Sequence, residues 1–568
     1  MSRSTVFHDK SVPEGTRHPS SPSDRTLVLG FVGIMLCSLV YSYALIVHQP
    51  IHELFVTYKH SYMVARALNQ FGYPYYPNMD KHDEIIRGLY ETIGRSESQA
   101  GAMDRYGSTK NTLERWIESE PVLVKMDPER VYLIRPFLYE GLIAFIWRVT
   151  GEETFSTFIY LSYVSFNLGV LLMVAFSLIV TRSLWVGLLV AGLTFLYTPY
   201  AQFARPNGLP MFVFPLSVGV SILIYCYVKS ANQLKQIAIA ISIGIVTSLV
   251  LLTRTDEIFW LPILVLLWSS LAVHDYIQKR ALRYVAVRLI HLCMVLAVVY
   301  LMLLPFLRYH EKHTGERFLG LGGYVNLVVG WRIIPNNNLG PPMSVGEFLP
   351  VLKEKGYYSG NEEYEPKDLR NEVQSFDLDR AAQRYALDVF KQHPGAVLLA
   401  TVKRIGYLPL PYAYRSYHLG FWLGIPPAFT WRLVAPEQGG LYVPDDTFYR
   451  FGGGDRGPFE KIFQYFVQHP IPLMLRSYAY FVAPVLACVG GMMAILTILN
   501  PYKYALFALG LWYVAKALFT ILISPLGSPY LLISYAPALA ACVMAVWAWR
   551  SSEIIARSVI FGERSWTS

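Results

Sequence analysis

Apolar runs near the length of a membrane span recur along the chain, near 26–47, 155–181, 184–201, 208–228, 236–253, 257–273, 286–307, 476–498, 503–523 and 529–549. A bilayer core demands about 20 such residues of a helix. The pattern therefore predicts an all-α polytopic membrane protein with about ten transmembrane helices. The first run, Thr26 to Val47, follows a polar head carrying Arg3, Lys10, Arg17 and Arg25. It is too long for a signal-peptide core and no small-residue cleavage pattern follows it, so it reads as a retained anchor. Two long polar stretches, 48–154 and 308–475, break the series of spans.

Charge in the short connections orients the bundle. Arg182, Lys229, Lys235, Lys279, Arg280, Arg283, Arg288, Lys503, Arg550, Arg557 and Arg564 fall on one side, with the N-terminal head. Cytoplasmic loops carry such an excess of Lys and Arg, while long loops count little in the rule. Both termini are then expected in the cytoplasm and both large loops outside. The expected layout is a head (1–26), an N-terminal membrane module (27–307) containing the first outer loop (48–154), a second outer loop (308–475), C-terminal helices (476–549) and a tail (550–568).

Neither outer loop reads as disordered. The first contains a helical stretch around Asp83–Tyr90 and closes on an amphipathic run from Arg135 to Arg148, too short to span and expected along the interface. The second contains an apolar-periodic helix from Asp377 to Gln392, broken by His393-Pro394, then an interfacial stretch from Ala396 to Tyr407.

Composition narrows the class. Of 568 residues, 54% are hydrophobic and 16% charged, against about 25% charged in an ordinary soluble domain. A disordered chain, a coiled coil and a collagen-like rod are excluded. The net charge of +9 would raise nucleic acid as a partner in a soluble protein; here the loop cations have a membrane explanation, and no nucleic-acid partner is expected. Cys37, Cys226, Cys293, Cys488 and Cys542 all lie inside apolar runs and read as packing residues, not disulfides or metal ligands. The absence of Asn-x-Ser/Thr and of cysteine in the outer loops points to a bacterial inner membrane.

Candidate chemistry sits at the outer ends of spans, where an ionisable residue is a functional candidate by default. Thr253-Arg254-Thr255-Asp256-Glu257 joins two spans with almost no loop, placing one cation and two anions at the outer surface. It reads either as an ion pair ending two helices or as a binding point for phosphate or sugar. Arg205 follows the run at 184–201 and is equally a snorkelling arginine or a phosphate ligand, since the guanidinium fork donates two parallel hydrogen bonds. Glu53 lies just beyond the first span, among His48, His52, His60 and Asp80. A carboxylate held there can take the proton of an acceptor hydroxyl. The histidines and Asp80 lack the spacing of a metal site and read as loop structure. Residues 452–457 are glycine-rich but match no phosphate loop, and no cofactor motif is found. A divalent-metal requirement is left open.

Several ordered segments resemble the GT-C integral-membrane glycosyltransferases, and among them the bacterial relatives of the protein mannosyltransferases (glycosyltransferase family 39). Ser61-Tyr62-Met63-Val64-Ala65-Arg66-Ala67-Leu68 through Gly72 is similar to the family's first-loop helix, and Arg135-Pro136-Phe137-Leu138-Tyr139 through Gly151 to the amphipathic helix closing that loop. Thr253 to Glu257 resembles the family's "TRP(E/D)" turn. Gly322 to Gly330, Ala382 to Arg404 and Ser528 to Pro537 are similar to later segments in the same order. The sequence departs at 57–61, where many members carry an acid and this chain has Thr-Tyr-Lys-His-Ser, and at 528–530, which lacks the family's Arg. Glu53 is the nearest acid to Tyr62 on the N-terminal side.

The resemblance implies transfer of one sugar from a polyprenyl-phosphate-linked donor to a lipid, glycan or protein acceptor, outside the membrane and with inversion. It implies Glu53 as the base, Arg205 and Arg254 on the phosphate, Asp256 or Glu257 orienting Arg254 or meeting a sugar hydroxyl, and Tyr62 and Arg135 among the substrate-binding residues. A transporter or flippase of lipid-linked sugars is the first rival. It predicts charges near the bilayer midplane and broken helices; few such charges are visible and no internal repeat is found. A non-catalytic polysaccharide-assembly protein is the second.

Overall fold

A computed structural model describes residues 24–43, 61–72 (less 63 and 71), 136–197 (less 155), 208–320, 324, 327, 345–359, 376–408 (less 407), 478, 482–523 and 530–550. Among them every regular element is helical. The first anchor is α1 (Asp24–Ser42). A short helix over residues 61–70 and α2 (Leu138–Thr150) follow from the first loop. The bundle continues with α3 (Ser156–Thr181), α4 (Leu184–Leu196), α5 (Gly208–Lys229), α6 (Gln233–Thr253), a 3-10 turn (Thr255–Phe259), α7 (Trp260–Lys279) and α8 (Leu282–Thr314). The second loop contributes α9 (Val345–Glu354), α10 (Phe376–Gln392) and α11 (Pro394–Gly406). The C-terminal part contains α12 (Ala483–Leu499), α13 (Pro501–Tyr504), a second 3-10 segment (Ala505–Gly510), α14 (Leu511–Leu522), α15 (Tyr530–Ile533) and α16 (Tyr535–Arg550).

Among the described residues, seven helical segments are long and apolar enough to cross a membrane: Arg25–Ser42, Thr157–Thr181, Met211–Lys229, Gln233–Thr253, Thr255–Lys279, Leu282–Thr314 and Pro501–Leu522. The other apolar runs are also helical but shorter, with 13 residues in α4, 17 in α12 and 16 in α16. At 1.5 Å per residue, α4 covers only about 20 Å of a hydrocarbon core about 30 Å thick. The outward surface is apolar, with Leu29, Val40, Trp185, Ile277 and Leu499 all well exposed. That is the surface lipid stabilises and water does not.

Without water to drive apolar helices together, close backbones and buried polar pairs bind them. Ser38 on α1 donates to Asn167 Oδ1 on α3 at 2.7 Å, and Asn167 Nδ2 donates back to Ser42 at 2.8 Å. In the C-terminal part, a Cβ built on Gly490 of α12 would fall 1.8 Å from the Ala538 carbonyl oxygen on α16. Any side chain at Gly490 forces α12 and α16 apart. The central core is built from Trp260, Trp268 and Trp512 with aliphatic residues of α3, α5, α6 and α7. Three of the cysteines depart from the packing expectation, since Cys37, Cys226 and Cys293 face outward, while Cys542 is buried and the half-buried Cys488 packs against the core. On an outward, lipid-bathed surface a small apolar thiol is tolerated without any packing role.

The two motif-like segments of the first loop form one unit. Ser61, at the start of the 61–70 helix, donates to Glu140 in the first turn of α2 at 2.9 Å. Tyr62 packs edge-on against Trp147, and Arg148 donates to the Leu68 carbonyl at 2.6 Å. Gly72 and Gly151 end these helices with φ of 70° and 75°. Only glycine adopts that left-handed conformation without a steric cost, which accounts for the glycine closing each segment. In the second loop a small separate core, Leu352, Leu378, Ala381, Ala382, Tyr385 and Ala386, holds α9 to α10. The Asp379 carboxylate there accepts from the Tyr324 backbone N–H at 3.0 Å. On α11, Leu398, Leu399, Val402 and Ile405 remain exposed as one apolar face.

Candidate functional site

Helix α6 ends at Thr253, and the chain turns back into α7 through the single 3-10 turn Thr255–Phe259. This tight reversal puts Arg254, Asp256 and Glu257 on one tip. Arg254 grips Asp256 with both arms of its fork, Nε to Oδ1 at 2.7 Å and Nη2 to Oδ2 at 2.8 Å. Of the two acids, Asp256 is therefore the one that orients Arg254. Glu257 turns inward and accepts from the Trp512 indole N–H at 3.0 Å.

A fourth charge completes the cluster. Lys516 of α14 reaches the same tip and donates to Asp256 Oδ2 at 2.7 Å, and its ammonium also pairs with Glu257. Two adjacent carboxylates thus share one ammonium, while the guanidinium holds the outer of the two. The side chains of Lys516 and Glu257 are each 1% exposed, against 8% for Arg254 and 12% for Asp256. The cluster is layered, with a sealed pair behind a pair that reaches the edge.

Both amphipathic loop helices sit at this end of the bundle. Phe137, preceding α2, packs against Phe306 and Tyr309 near the end of α8. Arg404 of α11 is 1% exposed and donates through Nη2 to the Thr520 carbonyl at 2.9 Å. That carbonyl lies in the last turn of α14, where carbonyls lack helical partners and the helix dipole favours a cation. Thr520 is also one helical turn beyond Lys516, so Arg404 anchors the second loop to the helix that bears Lys516.

The other sequence candidates fall elsewhere. Glu53, Arg205 and Arg135 lie outside the described residues. So do His48, His52, His60, Asp80, the stretch at 83–90 and the glycine-rich segment at 452–457. Tyr62 is 2% exposed and belongs to an aromatic cluster with Trp147 and Phe158. Burial pushes its phenol up to about 12, so it stays neutral at any working pH. Arg288 is corrected: it is no loop cation but a buried one, paired with Asp275 at 2.9 Å at the opposite end of the bundle. Among the described residues, no group of three His, Cys, Asp or Glu side chains is placed to hold a metal ion.

Lys516 and Arg404 were missed in the sequence reading. The signal for Lys516 was present, a lone cation inside the apolar run Leu511–Leu522, and a buried ionisable residue in a span calls for a named partner. Arg404 lies in a stretch read as interfacial, where a cation is expected to face headgroups and gives no hint of burial.

No protein-family model matches the chain, and no curated protein matches it in sequence. Among solved structures it is similar to the archaeal oligosaccharyltransferase AglB from Archaeoglobus fulgidus, described in complex with an inhibitory peptide and a dolichol-phosphate. The TM-score is 0.42 at 13% identity over 95% of this chain, which spans about half, 52%, of that protein's chain.

Proposed function

We propose that the protein is a membrane glycosyltransferase that moves one sugar from a polyprenyl-phosphate-linked donor to an acceptor at the extracytoplasmic face of the membrane, with inversion. The observation that carries this reading is the Arg254–Asp256–Glu257–Lys516 cluster, drawn together from segments 260 residues apart at the end of the bundle that also holds both amphipathic loop helices. A lipid-linked donor keeps its tail in the bilayer and its phosphate at the surface. Apolar helices tipped with cations suit both halves. The ordered family-like segments give the reading its chemistry.

In the reaction the acceptor oxygen attacks the anomeric carbon from the face opposite the phosphate. Glu53 takes the acceptor's proton as the new C–O bond forms. The bond from the anomeric carbon to the phosphate oxygen breaks, and its electron pair leaves with the lipid phosphate, which gains one negative charge. Arg254 and Arg205 stabilise that charge, and preorganised donors aimed at a developing anion contribute more than uniform substrate binding does. Asp256 keeps the Arg254 guanidinium planar to the site. Arg135 remains a substrate-binding candidate of this scheme, and Tyr62, 2% exposed, supports the loop unit from inside.

The test is incubation of membranes containing the protein with radiolabelled polyprenyl-phosphate sugar. Label is expected to move to an acceptor, and Glu53→Gln is expected to slow transfer by about 100-fold or more, the usual contribution of a general base. No transfer by the wild type, with donor exported or merely bound, favours the flippase or the assembly protein. Full transfer by the Glu53→Gln variant removes that residue from the role of base.

A further inference from the structure

We propose that Lys516 is a positioning residue for the donor phosphate, acting through Asp256 on Arg254; this rests on the reading of the cluster as the phosphate site. Lys516 is too deeply sealed to meet a substrate itself. It comes from α14, and its ammonium sits between two carboxylates that are neighbours in sequence and would otherwise repel each other. Asp256 Oδ2 accepts from Lys516 at 2.7 Å and from Arg254 Nη2 at 2.8 Å. The carboxylate that orients the guanidinium is thereby pinned from behind.

Burying an ion pair in a low-dielectric interior carries a heavy desolvation cost, and well-packed apolar residues of similar volume serve stability equally well or better. A purely structural contact between α14 and the turn does not need Lys516. What an ammonium supplies there, and a leucine cannot, is a fixed charge that cancels the second carboxylate. Glu257 is held in turn by Trp512, whose ring stacks on Phe214 of α5 at 5.9 Å. The chain of support therefore runs from the packed core to Glu257, to Lys516, to Asp256 and out to Arg254. Without Lys516 the two acids face an anionic ligand with one cation between them, and Asp256 loses the contact that fixes its plane.

The test uses the full-length protein in nanodiscs and compares binding of farnesyl phosphate with that of uncharged farnesol. The wild type is expected to prefer the phosphate. The Lys516→Met/Glu257→Gln double variant removes the sealed pair without leaving a lone buried charge. It is expected to fold, to lose tenfold or more in affinity for farnesyl phosphate, and to bind farnesol unchanged. Lys516→Arg keeps the charge but cannot place one point donor between two acids, and a loss of about threefold is expected. It decides the matter if the double variant fails to fold. A merely structural role would move both ligands together or neither. Wild-type affinity for farnesyl phosphate in either folded variant overturns the role of Lys516 alone. A wild type that binds farnesyl phosphate no better than farnesol overturns the phosphate reading of the site, and the positioning role with it.

Discussion

The same helices carry a buried charge cluster at each end, and the two are built differently. Arg254 and Gln236 mark opposite ends of α6, about 27 Å apart at 1.5 Å per residue. At the Gln236 end, Arg288 and Asp275 pair at 2.9 Å among neutral side chains, with Lys279 reaching the same carboxylate at 3.5 Å from its exposed side. Arg288 Nη1 donates to Tyr227 at 3.0 Å and to Gln236 at 3.1 Å, and Nη2 donates to Tyr502. Tyr227 also shares a hydrogen bond with His291 Nδ1 at 2.8 Å, and Tyr502 donates to both oxygens of Asp275 at 3.1 Å. This network joins α5, α6, α7, α8 and α13, and its neutral donors and acceptors are spent on one another. A fully satisfied buried network rigidifies a core. At the Arg254 end, Trp512 donates to Glu257, two acids stand side by side, and the two cations are as buried as Arg288, while the outer acid Asp256 is 12% exposed against 2% for Asp275. The first arrangement is a lock between helices around one buried acid, and the second sets two adjacent acids against two cations, with the outer acid the more exposed.

The largest effect that can break this contrast comes from removing one cation at each end. Arg288→Met leaves Asp275 with the Tyr502 hydroxyl and the half-exposed Lys279 ammonium but without its buried partner, and breaking a buried pair from one side costs about 3–5 kcal/mol. A severe loss of folded yield and of resistance to SDS unfolding is expected. Arg254→Met leaves Asp256 with Lys516 as partner, so a smaller stability loss is expected together with loss of transfer by about 100-fold or more. Equal stability losses with equal loss of specific activity would erase the distinction between lock and site.

A milder change sharpens it. Tyr227→Phe keeps the ring against Trp268, whose centroid is 4.7 Å away, and removes only the hydroxyl between Arg288 and His291. Leaving buried partners short of one hydrogen bond costs about 1–3 kcal/mol. Unfolding in SDS is expected to shift by that amount, with specific activity of the folded fraction unchanged. A fall in specific activity without a stability loss would mean that the two ends communicate.

How far the sequence spoke depended on whether a signal was local. The tight turn at Arg254 was legible because three charges between two apolar runs leave the chain no room for a loop. Gly72 and Gly151 closed their helices where the motif-like segments end. The helix at 377–392 was visible in its apolar period and is found over Phe376–Gln392. What stayed hidden is tertiary. Lys516 reads as one cation in an apolar helix, and nothing in its neighbourhood names two acids 259 and 260 residues away. Arg288 looked like one more loop cation because it follows Lys279, Arg280 and Arg283 in sequence, but helix α8 turns it inward onto Asp275. The outward cysteines mislead for a related reason, since an apolar run marks a span and is silent on which face meets lipid.

The smallest expected effect tests whether the lock depends on its buried cation or on charge in general. Lys279 also approaches Asp275, at 3.5 Å one turn along α7, but its side chain is 43% exposed. Solvent screens such a pair, and holding a long flexible side chain in place offsets much of the Coulomb gain, so exposed pairs contribute about 0.2–1 kcal/mol. Asp275 loses nothing essential when Lys279 goes, because Arg288 and Tyr502 still occupy both of its oxygens. Lys279→Ala is therefore expected to move unfolding by less than about 0.5 kcal/mol, a value to be read against Arg288→Met in the same SDS titration. A loss approaching that of Arg288→Met would mean that Asp275 depends on net positive charge around it, not on the directed bonds of the guanidinium, and the lock would then differ from the Arg254 cluster in degree only.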